Sequence, residues 1–311
     1  MKTKTIQITI ILFFFALSTQ AQIGPTPTNQ LKQDTLTSKK ELEKSYFKSK
    51  LSFTNNYNFN GRVSTINTVP FITPYIGYFN KSGFSISSSV FYSIAANENR
   101  VELYLFDIGY DIPVTEDFAI GLYANKTNYN KASTLFSSSI KGYAGAYLEY
   151  DFDFITFNIE NTVLFSSKSD IALAPSLFKE FTFLKDDALS IKPTILANFS
   201  TTNFYEDLLR RKRTLQAINT IVIETTVNDK KLQLMDYEFS VPVEYTSNKF
   251  TFFAIPTVAF PINPIRTTNT RTVYNPNGTQ IGQPTYTDST QPSELNLKNQ
   301  FFIEFGLQFK F

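Results

Sequence analysis

The chain has 311 residues, enough for one large domain, and its 29 Lys+Arg against 27 Asp+Glu leave a net charge of +2. That balance gives no electrostatic footprint for nucleic acid or another polyanion. Histidine and cysteine are both absent, which excludes Ser-His, Cys-His and His-metal chemistry and removes disulfides as a source of stability; no cofactor is implied.

In chain order, Lys2 and Lys4 form a basic n-region, Ile8 to Leu17 an apolar h-region, and Ser18-Thr19-Gln20-Ala21 a small-residue cleavage region. The apolar run is roughly half the ~20 residues a spanning helix needs, so residues 1–21 read as a cleaved signal peptide. Beyond Gln22 no apolar stretch has spanning-helix length, so the mature chain is either soluble or a β-barrel. Residues 22–47 are polar and read as a tail, a disordered leader or else a plug or periplasmic docking segment. Within it, Ser38-Lys39-Lys40-Glu41 fits a capping box and predicts a short helix from Lys39 to Tyr46.

From Lys48 onward aromatic and β-branched residues alternate with polar ones between turn clusters, the signature of strands. Twelve runs are predicted: 48–60, 69–79, 84–97, 100–112, 118–129, 140–151, 154–166, 171–184, 188–204, 232–246, 249–262 and 295–311. Most exceed the ~5 to 6 residues of soluble strands and reach the ~9 to 11 that cross a bilayer on a tilt. Connections after the even runs are tight: Asn80 to Gly83, Pro113 to Asp117, Phe152-Asp153, Lys185 to Asp187, and Ser247-Asn248. Those after the odd runs are mostly longer, notably 130–139, 205–231 and 263–294. Short turns on one side and long loops on the other fit a barrel with both chain ends on the short-turn side, and not a Greek-key sandwich.

Within the runs the period is two. In the last, Phe301, Ile303, Phe305, Leu307, Phe309 and Phe311 share one face, and Glu304, Gly306, Gln308 and Lys310 share the other with Phe302. The tenth sets Met235, Tyr237, Phe239, Val241, Val243 and Tyr245 against Asp236, Glu238, Ser240 and Glu244. One face suits lipid and the other a polar lumen. Pro175, Pro193, Pro242 and Pro256 fall inside four consecutive runs, where each deletes a ladder donor. Bulges that bend the wall are the first reading, and a weakened region serving a lateral opening or a partner contact the second.

With Phe305, Leu307, Phe309 and Phe311 in its last run and strand texture from 48 to 311, the chain resembles the outer-membrane β-barrel proteins of Gram-negative bacteria. Their final strand typically closes with alternating apolar residues and a terminal aromatic recognised by the assembly machinery. The resemblance implies an all-β transmembrane antiparallel barrel of about twelve strands over 48–311, with N- and C-termini periplasmic. It also implies contact with outer-membrane lipid and lipopolysaccharide, and with the barrel-assembly machinery through the C-terminal strand. It names no activity.

The polar face supplies the lumen-lining candidates Lys141, Glu149, Glu160, Asp236, Glu238, Glu304 and Lys310, a mixed set that either lines a water path or forms a pairing network. Arg210-Arg211-Lys212-Arg213 is a basic cluster in the loop after the ninth run, a solvated segment or an external contact for phosphates or an acidic partner. The strand-like stretch 215–227 after it either extends a hairpin above the membrane or spans it. A small porin-like channel for polar solutes is the first functional expectation. A non-conducting scaffold or accessory subunit of an outer-membrane assembly or secretion complex, acting through the tail or the long loops, is the second. A lipid-directed barrel enzyme is set aside for want of histidine.

Overall fold

The computed structural model describes residues 44–59, 62–63, 69–96, 99–133, 135, 137–207, 221–227, 231–263, 265–275, 279–290 and 299–311. Residues 39–43 of the expected capping-box helix and the cluster Arg210-Arg211-Lys212-Arg213 lie outside the described residues; Tyr46, at the end of that expected helix, begins a strand.

Twelve strands form one closed antiparallel ring. They are β1 (Tyr46–Thr54), β2 (Phe71–Phe79), β3 (Phe84–Ser93), β4 (Arg100–Pro113), β5 (Phe118–Tyr129), β6 (Gly142–Asp151) and β7 (Thr156–Phe165). Three more come in two pieces each: β8 (Asp170–Phe178, Phe181–Phe183), β9 (Leu189–Ile191, Thr194–Ser200) and β10 (Gln233–Ser240, Val243–Ser247). β11 (Phe250–Pro261) and β12 (Gln300–Lys310) complete the set. Each strand pairs with its neighbours in the chain, and β12 pairs with both β11 and β1, which closes the sheet and abolishes its edges over most of the circumference. The twelve predicted runs map one to one onto these strands.

The alternation along each strand is inside-out. On β1 the buried residues are Tyr46, Lys48, Lys50, Ser52 and Thr54, while Phe47 and Leu51 are exposed. Around the ring Leu51, Ile76, Ile195 and Phe252 are each more than half exposed, whereas Lys50, Glu160, Asp236 and Glu304 are buried. A soluble sheet buries its apolar face and hydrates its polar one, so this polarity is that of a barrel bathed in lipid.

The even connections are the tight turns the sequence predicts. Between β2 and β3, Asn80 N donates to Phe84 O (2.7 Å), Gly83 N to Asn80 O (2.9 Å), and Gly83 takes φ 93°. Asp153 (φ 64°) and Asn248 (φ 56°) turn the corners after β6 and β10, a conformation that Asp and Asn tolerate better than most residues. At the other end lie the long loops, with 166–169 a short exception after β7. Two of these loops build a separate three-stranded sheet, in which Ile221–Val227 pairs with Arg266–Tyr274 and the latter with Gln280–Thr290. Of the 215–227 stretch, Ile221–Val227 therefore belongs to an appendage and not to the ring, and residues 215–220 lie outside the described residues.

Two details depart from the sequence reading. The bulges expected at the four prolines are not there. Ile191↔Val243 and Thr194↔Ser240 keep one register across Pro193 and Pro242, and Ser240↔Thr257 and Val243↔Ala254 keep one across Pro256. The β8 ladder likewise runs straight through Pro175↔Ile159. Proline's fixed φ is compatible with an extended strand, so each one removes a bond without inserting a residue. A register shift instead falls at Asn198/Phe199, opposite Leu234 and Asp236, and it resets the alternation of β10. Met235, expected among the outward residues, is in consequence fully buried in the interior cluster.

Candidate functional site

The inner wall is stratified. At the loop end it is apolar: Phe71, Phe91, Leu103, Leu105, Tyr143 and Leu164 belong to one buried cluster. Loop residues complete that cluster, with Tyr57 and Phe59 from the β1–β2 loop, Leu135 and Ile140 from β5–β6, Phe204 and Tyr205 from β9–β10, and Ile265 from β11–β12. Four loops thus fold onto the inner wall at this end. Phe59 stands edge-on to Phe204 (5.5 Å between centroids) and Tyr57 edge-on to Phe71 (6.0 Å), the packing favoured by ring quadrupoles.

Hydrogen bonds fasten several of these loop residues. Asn56 Oδ1 accepts from Tyr57 N (2.8 Å) and Val69 N (2.9 Å), which pulls the two ends of the first loop together. Tyr57 and Tyr129 both bond Ser137 Oγ. Burial holds the Tyr57 phenol well above the ordinary tyrosine range, so it stays protonated. The helical turn over 204–207 is held by Asp170, the first residue of β8, whose side chain is inaccessible to solvent. Its carboxylate accepts from Thr201 Oγ1 (2.6 Å), Asn203 N (2.7 Å) and Phe204 N (2.7 Å). This is a cap for the first N–H groups of the turn, and it aims Phe204 and Tyr205 at the mouth. Ser139 Oγ donates to Phe204 O (2.9 Å), Ser167 N and Oγ donate to Asp207 (2.7 and 2.6 Å), and Lys168 pairs with Glu206 (2.7 Å).

Toward the turn end the inner wall is polar and cross-braced. Lys50 faces Glu304 across the β1–β12 closure at 3.8 Å, with Nζ also 5.4 Å from the Tyr75 ring centroid. Tyr123 OH donates to Glu160, Tyr147 OH to Asp111 Oδ1 (2.7 Å), and Asn125 Nδ2 to Asp107 Oδ1 (3.2 Å). Asn58 Nδ2, from the first loop, donates to Glu238 Oε1 on β10 (3.3 Å), a strut between distant parts of the chain. Such burial of charge is tolerable only with partners, and the braces supply them.

Among the lumen candidates, Glu160, Asp236, Glu238 and Glu304 are buried in the interior. Glu149 is half-buried and accepts from Asn158 Nδ2 (3.4 Å), and Lys310 lies half-buried with Nζ 3.9 Å from the Tyr46 ring centroid. Lys141 is exposed, just before β6, and lines a rim cleft of about 510 Å³ with Lys126, Ser139 and Asp207. The buried charged groups that sequence reasoning missed include Lys48, Lys50, Asp107, Asp111 and the positioning residue Asp170. The strand-period parity that picked Glu304 would have found the first four. Nothing local singles out Asp170, because its partners lie more than 30 residues away. Among the described residues no group of three or more acidic side chains is placed to hold a metal ion.

No protein-family profile and no curated protein matches the chain. Among solved structures it is similar to one described as a bacterial polysaccharide outer membrane secretin, at 9% identity over 86% of this chain and 98% of that one, TM-score 0.38. It is also similar to a porin, at 10% identity over 86% and 99% of the two chains with TM-score 0.29. A third is OmpF of Salmonella typhi in complex with daunomycin, at 8% identity over 86% and 97% with TM-score 0.32. Superposition this loose adds nothing to the fold, which rests on the strand pairing and the inside-out burial of the chain itself.

Proposed function

We propose that this chain is an outer-membrane β-barrel with a mouth closed to solutes, acting as a non-conducting scaffold or accessory subunit through its external loops. The observation that carries the reading is the seal of Tyr57, Phe59, Leu135, Phe204, Tyr205 and Ile265 packed on the inner wall. The cross-braced charges behind it, buried and paired, support it further, since a conducting lumen keeps its charges wet. On this reading residues 1–21 direct export, both chain ends face the periplasm, and the C-terminal strand engages the assembly machinery. The loops, with Arg210-Arg211-Lys212-Arg213 among them, meet lipopolysaccharide or a protein partner. No catalytic role is assigned. The test is single-channel recording of the purified barrel in planar bilayers, joined to affinity purification in mild detergent. A silent bilayer and a stoichiometric co-purifying partner are expected; steady ohmic conductance overturns the closed reading.

The second reading, a small porin-like channel for polar solutes, is favoured by one observation: the turn-end half of the inner wall carries Lys48, Lys50, Asp107, Glu160 and Glu304. It requires the loop seal to withdraw. Conductance that appears only after Phe59→Ala with Phe204→Ala supports it.

A further inference from the structure

Three prolines on adjacent strands, Pro193 of β9, Pro242 of β10 and Pro256 of β11, are aligned. Lys179 N donates to Pro193 O (3.3 Å), Lys192 N to Pro242 O (2.9 Å), and Val241 N to Pro256 O (3.1 Å). Residues opposed in this way in an antiparallel ladder normally exchange two bonds, and the return bond needs an N–H that proline lacks. Because the register is unbroken, Lys179, Pro193, Val241, Pro256 and Ile303 stand in one row across β8 to β12, with Lys192, Pro242 and Ile255 in the row beside it. Three successive junctions, β8/β9, β9/β10 and β10/β11, are therefore reduced to single bonds at one height on the wall. Thr194 Oγ1 donates to Lys192 O (3.0 Å), standing in for the donor that Pro242 cannot supply.

The wall on the turn side of this row is a small unit: Phe181–Phe183, Leu189–Ile191 and Val243–Ser247. Its outer member, Phe181–Phe183, pairs with β9 alone and ends the sheet as a free edge. Outward side chains are apolar and exposed on both sides of the row, Leu177, Ile195 and Phe239 on one, Phe181, Tyr245 and Phe252 on the other. The row thus crosses the lipid-facing belt, where no water replaces a missing donor. Val243–Ser247 is held to β11 by a continuous ladder from Val243↔Ala254 to Ser247↔Phe250, so the edge piece of Phe181–Phe183 with Leu189–Ile191, held on one side only, is the part of this sheet that opens first.

We propose that the barrel opens sideways here, the flap of residues 180–192 parting from Val243–Ser247 and swinging outward about the proline row so that an acyl chain of the turn-side leaflet reaches the inward side chains behind it. With the mouth sealed, this is a route to the interior from the bilayer. The inference rests on the lipid-embedded reading above and not on whether the barrel conducts.

The test uses the full barrel reconstituted with a phospholipid carrying a photoactivatable diazirine in its acyl chain, with adducts mapped by mass spectrometry. Adducts are expected at outward Ile195 and Phe239 and also at inward Ser190, Lys192 or Ile255. Ile191 and Val243 are opposed and not bonded to each other, the spacing that suits a disulfide, and the chain has Cys 0 to interfere. Oxidising an Ile191→Cys, Val243→Cys pair is expected to abolish the inward adducts and keep the outward ones. Inward adducts that are absent, or that survive the lock, overturn the seam while leaving the barrel standing. Loss of the outward adducts overturns the barrel itself. As a second readout, amides of 189–191 and 243–247 should exchange with deuterium roughly tenfold or more faster than those of β3 and β4, and Pro242→Ala should slow them. Equal exchange in the two regions contradicts the seam.

Discussion

Replacing Asp170 with alanine isolates the fastening of the seal from the strength of the wall. The carboxylate takes three hydrogen bonds, two of them from the backbone N–H groups of Asn203 and Phe204, at a position closed to water. Bonds to a charged acceptor contribute ~1.5 to 3 kcal/mol each, and the donors left behind are partly rehydrated once the turn lifts, so a net local loss of about 3 kcal/mol is reasonable. At about 1.4 kcal/mol per factor of ten, the population with the 204–207 turn lifted should rise roughly a hundredfold. Deuterium exchange in the folded barrel reads this directly: the amides of 203–207 should exchange faster by about two orders of magnitude, with β1 to β7 unchanged. Equal exchange at 203–207 in Asp170→Ala and the parent would refute the claim that this carboxylate holds the seal.

Three further outcomes follow from the geometry. Glu304→Gln leaves Lys50 without its anion at a site where both side chains are at most 5% exposed, and should lower stability in denaturant titration by up to about 3 to 5 kcal/mol. A Lys50→Met, Glu304→Leu double variant should recover most of that loss. Gly83→Ala forces a side chain into φ 93° and against the Asp111 carbonyl, so a loss of ~1 to 3 kcal/mol and slower barrel assembly are expected by gel-shift folding assays. Leu122→Arg, outward near the middle of β5, should cost ~2 to 4 kcal/mol in a bilayer, whereas Thr73→Ser on the inner wall should be close to neutral.

The ring was legible in the sequence because lipid and lumen impose a strict period of two. Phe301, Ile303, Phe305 and Leu307 against Glu304 and Gln308 give the faces of β12 without any knowledge of its neighbours. Turns such as Asn80 to Gly83 were equally legible, since their chemistry is local. What stayed hidden depends on contacts far apart in the chain. The pairing of Ile221–Val227 with Arg266–Tyr274 joins two different loops, and the seal draws Phe59 against Phe204. The apolar upper lumen was masked because Leu103 and Leu105 alternate with Tyr104 and Phe106, so the two faces of the loop-end part of β4 look alike. Met235 defeated the parity rule through a register shift that only the partner strand reveals.

The absence of cysteine permits a single-cysteine scan along β1 and β12 in the reconstituted barrel, which bears most directly on the central claim. At Phe47, Leu51, Phe305 and Leu307, substituted cysteines should react with a bilayer-partitioned maleimide and be shielded from a membrane-impermeant one. Cysteines at Lys50, Ser52 and Glu304 should resist the bilayer reagent. The reverse pattern, or a chain that stays dissolved and equally reactive at both sets of positions without detergent or lipid, would contradict the lipid-facing barrel.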